Sequence, residues 1–164
     1  MALSTTKDCD RTLGSELISL FESDPKWFLI YLDCGFTDLK EFFRGLNSRA
    51  LNAGICEQAA VSIASGMALS GLRPIVYGIA SFLVFRAFEQ IRLDLVDQRA
   101  NVKLIGIGAG EYFKHLGVSH ITGMQDQLAL SAINMPCYRY GSEAQYDGFD
   151  PWHCFPGPAY LRVT

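Results

Sequence analysis

The chain has 164 residues, of which 49% are hydrophobic and 19% charged, and it carries a net charge of -3 at pH 7. This length and composition predict one domain, residues 1–164, with a sizeable core, and they exclude a disordered protein. The acidic balance argues against nucleic-acid partners, and no apolar run approaches the roughly 20 residues of a membrane helix. Five scattered cysteines without a CxxC pair are typical of reduced thiols and favour a cytoplasmic location.

The first half of the chain alternates between helical and strand patterns. A helix is predicted over 12–22, followed by the buried strand "WFLIYLD", which ends at Asp33. The segment "CGFTDLKEFFRGLNSR" predicts a loop with a short helix, and "ALNAG" predicts a short strand. Residues 55–69 place small and apolar side chains at helical spacing with little charge, which predicts a buried helix that ends near Gly71.

The second half continues the alternation. The strand "IVYGI" is followed by a predicted amphipathic helix over 82–98, whose apolar positions recur every three to four residues (Phe85, Phe88, Ile91, Leu95). The strand "VKLIGIG", the glycine-rich loop "AGEYFKHLGVSHITG" and a helix over 124–133 come next. The strand "CYRYG", an irregular aromatic segment "YDGFDPWHCFPGP" and a last strand "AYLRV" complete the pattern.

Strands that are apolar throughout and alternate with helices predict an α/β fold. The expected architecture has three layers, α/β/α, around a mostly parallel sheet. In such folds ligands bind at the carboxyl ends of the strands, so the loops after Asp33, Ile79 and Gly108 are the predicted site.

Glu57 is a lone carboxylate at the start of the small-residue helix. An acid in the first helical turn has a structural explanation, because the helix dipole stabilises a negative charge there. A buried carboxylate, however, needs a partner, and a carboxyl group in such a position is suited to proton transfer. The residues alone leave both interpretations open.

Two further residues follow predicted strands. Phe82 comes just after "IVYGI", where a side chain would face the ligand crevice, whereas Phe88 is interpreted as core. His120 lies in the glycine-rich loop after a parallel strand, and the residues alone allow either a structural or a functional role. The sequence "GIGAGEY" lacks the third glycine of the dinucleotide-binding fingerprint, so NAD binding is discounted.

The segment "NAGICEQAAVSIASGMALSGLRPIVYGIASFLVFRAFEQIR" resembles the pyrimidine-binding domain of transketolase-like thiamine diphosphate enzymes. That group includes transketolase, 1-deoxyxylulose-5-phosphate synthase and the beta subunits of 2-oxoacid dehydrogenases. Downstream, "VKLIGIGAG", "LGVSHITGMQDQLALSAINMP" and "GPAYLRV" are similar to further motifs of the group and follow in the same order. The resemblance extends from about residue 27 to residue 163.

The resemblance implies roles for individual residues. Glu57 would be catalytic, with its carboxyl group bonded to N1′ of the aminopyrimidine of thiamine diphosphate. Phe82 would stack on that ring when the motif is counted from "RPIVYGIASF", whereas counting back from "RAFEQ" favours Leu83. Phe85 would line the same wall, and His120 would lie near the substrate and the thiazolium. Ile121 stands where the family has a second polar residue.

The family binds the cofactor's diphosphate through Mg²⁺ on a second domain that carries a GDG motif. The sequence contains no GDG, and it does not continue into the C-terminal domain that follows "GPVYIR" in the family. The expectation is a split enzyme: a subunit inactive alone, a GDG-containing partner that supplies Mg²⁺, and a heterotetramer acting on a ketose or 2-oxoacid. The alternative is a non-catalytic interaction or regulatory module that retains the fold.

Overall fold

The computed structural model of the chain describes residues 12–34, 48–141 and 148–164. The strands are β1 (Trp27–Tyr31), β2 (Ala50–Asn52), β3 (Arg73–Ile79), β4 (Lys103–Ile107), β5 (Cys137–Tyr140) and β6 (Ala159–Val163). The helices are α1 (Leu13–Ser23), α2 (Glu57–Leu69), α3 (Ala80–Arg86), α4 (Phe88–Gln90), which continues as a π-helix over Ile91–Asp97, α5 (Gln125–Ala132) and α6 (Phe149–Cys154). No helix in the described part of the chain is long and apolar enough to cross a membrane.

The six strands form one sheet in the order β2-β1-β3-β4-β6-β5, and every neighbouring pair is parallel. Side chains of successive strand residues point to opposite faces of the sheet, so each apolar strand supplies both faces. In β3, for example, Ile75 packs on one face and Val76 on the other. The predicted α/β fold with a parallel sheet is confirmed.

Helices cover both faces of the sheet. The helices α2, α3 and α5 and the π-helix contribute buried residues to the core on the face of Val76. The helices α1 and α6 pack on the face of Ile75 through Leu17, Phe21 and Trp152. The result is the three-layer arrangement that the alternating pattern predicts.

The first helix and its boundary agree with the sequence. Thr12 is the N-cap, and its hydroxyl accepts a hydrogen bond of 3.2 Å from the backbone N–H of Ser15. The Ser15 hydroxyl in turn accepts from the Thr12 backbone N–H at 3.1 Å, which completes a capping box. Gly71 has φ +89, a left-handed conformation that suits glycine, and it follows the end of α2 as predicted.

The segment 82–98 is helical as predicted, but it does not form one helix. The chain bends at Ala87, with φ -105 and ψ 19, and α3 therefore ends at Arg86 before a π-helix begins at Ile91. This bend and the change of helical pitch shift the apolar stripe: Leu95 is fully buried, but Phe85 is 44% exposed. Phe85 and Leu95 therefore do not lie on one buried face of a single helix.

The predicted burial of the helix over 55–69 is also wrong. One face of α2 is buried through Ala60, Val61 and Ala64, while Ile63 is 44% and Leu69 is 65% exposed. A low charge content does not require burial, because much of a protein surface consists of apolar atoms.

The aromatic segment near the end of the chain contains a helix that the sequence pattern did not predict. In α6, Phe149 and Trp152 are three residues apart and are both buried. The Trp152 indole N–H donates a hydrogen bond of 3.1 Å to the Ala159 carbonyl, which joins the helix to β6. The short helix predicted between 34 and 49 lies mostly outside the described residues.

Candidate functional site

The candidate site lies where three of the parallel strands end. Glu57 follows β2 after a short loop, Phe82 follows β3, and His120 follows β4. Because the strands are parallel, their carboxyl ends share one edge of the sheet, and the three side chains are placed along it. This is the edge that the sequence pattern indicates.

Glu57 is the first residue of α2 and is 5% exposed. Its Oε1 accepts a hydrogen bond of 2.7 Å from Nη1 of Arg86, so the two side chains form an ion pair. The carboxylate also stands in the first turn of its helix, where the dipole stabilises negative charge. The buried carboxylate therefore has the partner that its burial requires.

A cavity of about 570 Å³ opens beside this ion pair. Its lining consists of the loop and first turn around the carboxylate, together with the guanidinium (Ile55, Cys56, Glu57, Gln58, Ala59, Arg86). The side chain of Arg86 is 44% exposed, whereas that of Glu57 is 6% exposed. The carboxylate thus lies at the wall of a space that a small molecule could enter.

Arg86 contacts both Glu57 and Phe82, the aromatic residue that the sequence predicts as part of the site. Its guanidinium carbon lies over the Phe82 ring, 3.9 Å from the ring centroid, within the range of a cation–π interaction. Sequence reasoning missed Arg86. The spacing of four residues between Phe82 and Arg86 in one helix is the signal that places both side chains on the same face.

His120 packs against the same aromatic ring. The centroids of the Phe82 and His120 rings are 4.8 Å apart with an interplanar angle of 71°, an edge-on arrangement. The His120 ring also lies 6.4 Å from the Phe113 ring, and its Nδ1 is 3.1 Å from the Ser119 hydroxyl. Glu57, Arg86, Phe82 and His120 therefore form one continuous set of contacts.

The loop that carries His120 is closed at its base. The Gly110 backbone N–H donates to Oγ1 of Thr122 at 2.8 Å, and the Gly110 carbonyl accepts from the backbone N–H groups of Thr122 and Gly123. Gly108 has φ +61, and a β-carbon there would collide with the Phe113 ring. These hydrogen bonds join the two ends of the loop, and they hold His120 beside Phe82.

A second buried carboxylate anchors the far end of this loop. Asp126 is fully buried and accepts hydrogen bonds from the Tyr160 hydroxyl at 2.9 Å and from Nε of Arg162 at 3.1 Å. Nη2 of Arg162 donates to the Gly123 carbonyl at 2.5 Å, which connects β6 to the loop. Burial and the neighbouring Asp126 charge raise the pKa of Tyr160 well above its usual value.

The model of the transketolase pyrimidine binding domain family matches residues 7–135. The chain belongs to this family. Membership of the transketolase pyrimidine-binding family implies the use of thiamine diphosphate, and the resemblance that the motifs indicate is confirmed.

Two curated relatives and two solved structures illustrate the range of similar proteins. A subunit of apulose-4-phosphate transketolase from Phocaeicola vulgatus is 34% identical over 113 residues, covering 68% of this chain and 36% of the relative. The uncharacterized 33.6 kDa protein in the fasciation locus of Rhodococcoides fascians is 33% identical over 109 residues, covering 66% of this chain and 35% of the relative. The chain thus spans about a third of the length of these relatives.

Among solved structures, a split gene transketolase described as an inactive beta4 tetramer has a TM-score of 0.75 and 27% identity. The match covers 91% of this chain and 48% of that chain. Transketolase from Leishmania mexicana has a TM-score of 0.76 at 19% identity, covering 91% of this chain and 24% of that chain. This second likeness concerns the fold alone.

The other residues that the family resemblance singles out lie on α3. Phe85 is 44% exposed, and Leu83, the alternative to Phe82, is fully buried in the core. Within residues 12–34, 48–141 and 148–164, no three His, Cys, Asp or Glu side chains converge as metal ligands. The assignment of Mg²⁺ to a partner subunit stays a prediction.

Proposed function

We propose that residues 1–164 form the pyrimidine-binding domain of a split transketolase-like enzyme that forms or cleaves C–C bonds next to a carbonyl. The observation that carries the proposal is the Glu57 carboxylate, which is buried at the first turn of α2 and lines an open cavity. The family membership of the chain supports the same interpretation.

The residues present fit the aminopyrimidine of thiamine diphosphate. A buried carboxyl group lines the cavity, and a single guanidinium contacts both this group and the ring of Phe82. When bound, thiamine diphosphate would supply an electron sink for cleavage or formation of the C–C bond at the substrate carbonyl carbon. Glu57 would hold a proton at the pyrimidine N1′, and Phe82 would present its ring face to the pyrimidine, with Phe85 nearby on α3.

His120 is proposed to act on the substrate side. Its contact with the Phe82 ring supports a position between the proposed cofactor site and the loop that follows β4. An imidazole can donate or accept a proton near neutral pH, which suits a group that positions a ketose or 2-oxoacid. The closed base of the loop, from Gly110 to Gly123, limits the movement of this histidine.

A partner subunit is part of the proposal. The sequence holds no GDG motif, and the family resemblance places Mg²⁺ and the diphosphate on a domain that carries one. Two similar proteins, one named as a subunit of a transketolase and the other as a split gene transketolase, support a divided enzyme. The proposed assembly is a heterotetramer in which each active site lies between this chain and a GDG-containing subunit.

The second candidate is a non-catalytic interaction or regulatory module. Ile121, which stands where the family has a polar residue, favours it. The retention of Glu57, Phe82 and His120 in one contact set favours the enzyme. The two candidates differ in whether the chain contributes to cofactor binding.

Thermal-shift titration with thiamine diphosphate and Mg²⁺ separates the candidates. The chain is titrated alone, with a co-expressed GDG-containing subunit, and as Glu57→Gln with the same subunit. The enzyme proposal expects a cofactor-dependent rise in melting temperature for the complex that is reduced in Glu57→Gln. Identical shifts in the complex with and without the substitution would favour the non-catalytic module.

A further inference from the structure

The side chain of Arg86 makes the two contacts that the proposed function assigns to the cofactor's aminopyrimidine. Its Nη1 donates to the Glu57 carboxylate at 2.7 Å, and its guanidinium carbon lies 3.9 Å from the Phe82 ring centroid. One planar nitrogen-containing group therefore bonds to the acid and covers the aromatic face at once.

A guanidinium and an aminopyrimidine share the chemistry that these contacts require. Both are flat and delocalised, both carry adjacent nitrogens on one carbon, and both can stack on an aromatic ring. We propose that Arg86 occupies the place of the aminopyrimidine in the cofactor-free chain and has to be displaced when the cofactor binds. This makes Arg86 a determinant of cofactor affinity, and it rests on the function proposed above.

The environment of Arg86 permits such a displacement. The side chain is 44% exposed and belongs to the lining of the cavity, so the guanidinium can turn into that space on its flexible stem. A half-exposed ion pair adds little net stability, because solvent screens the attraction. Arg162, in contrast, is 4% exposed and also donates to the Gly123 carbonyl, which ties it down.

The contact also accounts for the burial of the acid. A carboxylate that is 5% exposed needs a compensating donor, and Arg86 supplies one until another group arrives. The apparent affinity for the cofactor then equals the intrinsic affinity multiplied by the fraction of molecules in which Arg86 has left the site.

The decisive experiment measures thiamine diphosphate binding by calorimetry with the complex of the chain and its GDG-containing partner. The variants are Arg86→Ala and Arg86→Lys, with Arg92→Ala, an exposed arginine of the π-helix, as the matched control. If Arg86 fills the site in nine molecules of ten, Arg86→Ala binds about tenfold more tightly. Arg86→Lys keeps the charge without the planar group and is expected in between. Unchanged or weaker binding by Arg86→Ala, relative to the wild type and the control, overturns the inference.

A second measurement does not depend on the cofactor. Benzamidinium is a small planar amidinium that can use the same acid and ring. With the chain alone, it is expected to raise the melting temperature of Arg86→Ala, but not that of the wild type or of Arg86→Ala combined with Glu57→Gln. Equal shifts in all three proteins overturn the inference.

The two measurements separate the inference from the proposed function. Benzamidinium binding to Arg86→Ala without thiamine diphosphate binding by any complex would refute the proposed function while leaving an amidine site. Cofactor binding that is lost in Glu57→Gln but unaffected by Arg86→Ala would support the proposed function and refute the role of Arg86.

Discussion

The two buried carboxylate–arginine pairs of this chain differ in how completely they are enclosed. Each carboxylate lies in the first turn of a helix, Glu57 in α2 and Asp126 in α5. Asp126 is fully buried, and the side chain of its partner Arg162 is 5% exposed. Glu57 is 5% exposed, but the side chain of its partner Arg86 is 44% exposed beside a cavity.

We call Asp126 with Arg162 the closed pair and Glu57 with Arg86 the open pair, and it is the open pair that we propose to change partners. Asp126 accepts from both Tyr160 and Arg162, and Arg162 also donates to a backbone carbonyl, so the closed pair links α5, β6 and the His120 loop. The open pair depends on one flexible, half-exposed side chain. Burial of a carboxylate alone therefore does not mark a functional site, and the open pair is proposed as one because its partner is half-exposed beside a cavity.

The largest effect is expected from Glu57→Gln, which keeps the shape of the side chain but removes its acid. In the proposed complex with a GDG-containing subunit, the rate of the proposed C–C transfer should fall by about 100-fold or more, because general acid–base groups contribute on that scale. Steady-state turnover is the measurement, and urea unfolding checks that the fold is retained. Turnover close to that of the wild type would show that the open pair is not catalytic.

Asp126→Ala should affect stability rather than chemistry. It leaves Arg162 and the Tyr160 hydroxyl buried without their acceptor, and breaking a buried pair in this way costs about 3–5 kcal/mol. Urea unfolding at pH 7 gives the difference. Glu57→Ala is the matched comparison at the open pair: it also removes the acid, and because Arg86 is half-exposed and can be solvated, the expected cost is at most about 1 kcal/mol. Equal costs at the two pairs would remove the distinction between them.

Lys103 is a buried cation that can be compared with the two carboxylate–arginine pairs. It is fully buried at the start of β4, and its Nζ donates to the Asn101 side chain and to the carbonyls of Phe155 and Gly157. Burial lowers the pKa of Lys103 to about 8, so the ammonium is charged at pH 7.

Lys103→Met should cost about 1–3 kcal/mol, because one buried and two partly buried oxygens lose their donor. Chemical unfolding at pH 7 measures the loss, and cofactor binding by the complex should remain as in the wild type. Loss of binding without loss of stability would contradict the structural role.

The smallest effect concerns Cys137, whose thiol lies near the closed pair. Burial, reinforced by the Asp126 charge, raises the pKa of Cys137 from 9.0 to about 12. A folded-state pKa above the unfolded value means that the unfolded chain loses its proton first. This contribution to stability is complete below pH 9 and is lost as the pH rises from about 9 towards 12.

Between pH 8 and pH 10, the wild type should therefore lose about 1 kcal/mol more stability than Cys137→Ala. Unfolding free energies from urea titrations at the two pH values give the comparison, and any contribution of Cys34 is common to both proteins. Parallel losses in the two proteins would show that the thiol is not sequestered by the closed pair.

The sequence by itself determined the family and most of the elements. Motifs in a fixed order indicated the pyrimidine-binding domain, and apolar strands that alternate with helices indicated the parallel sheet. These signals can be recognised from the sequence alone, because periodicity and local motifs depend on residues that are close together in the chain. The position of Glu57 in its motif could be recognised from the sequence for the same reason.

Only the tertiary structure determines that Arg86 contacts Glu57. The bend at Ala87 ends α3, exposes Phe85 and leaves Arg86 able to reach across to α2. The structure also places Leu83 in the core and Phe82 beside His120, whereas the choice of Phe82 as the residue that stacks on the pyrimidine stays a prediction. Contacts between residues 29 positions apart depend on how helices pack on the sheet, and that packing has no signature in the local pattern of either segment.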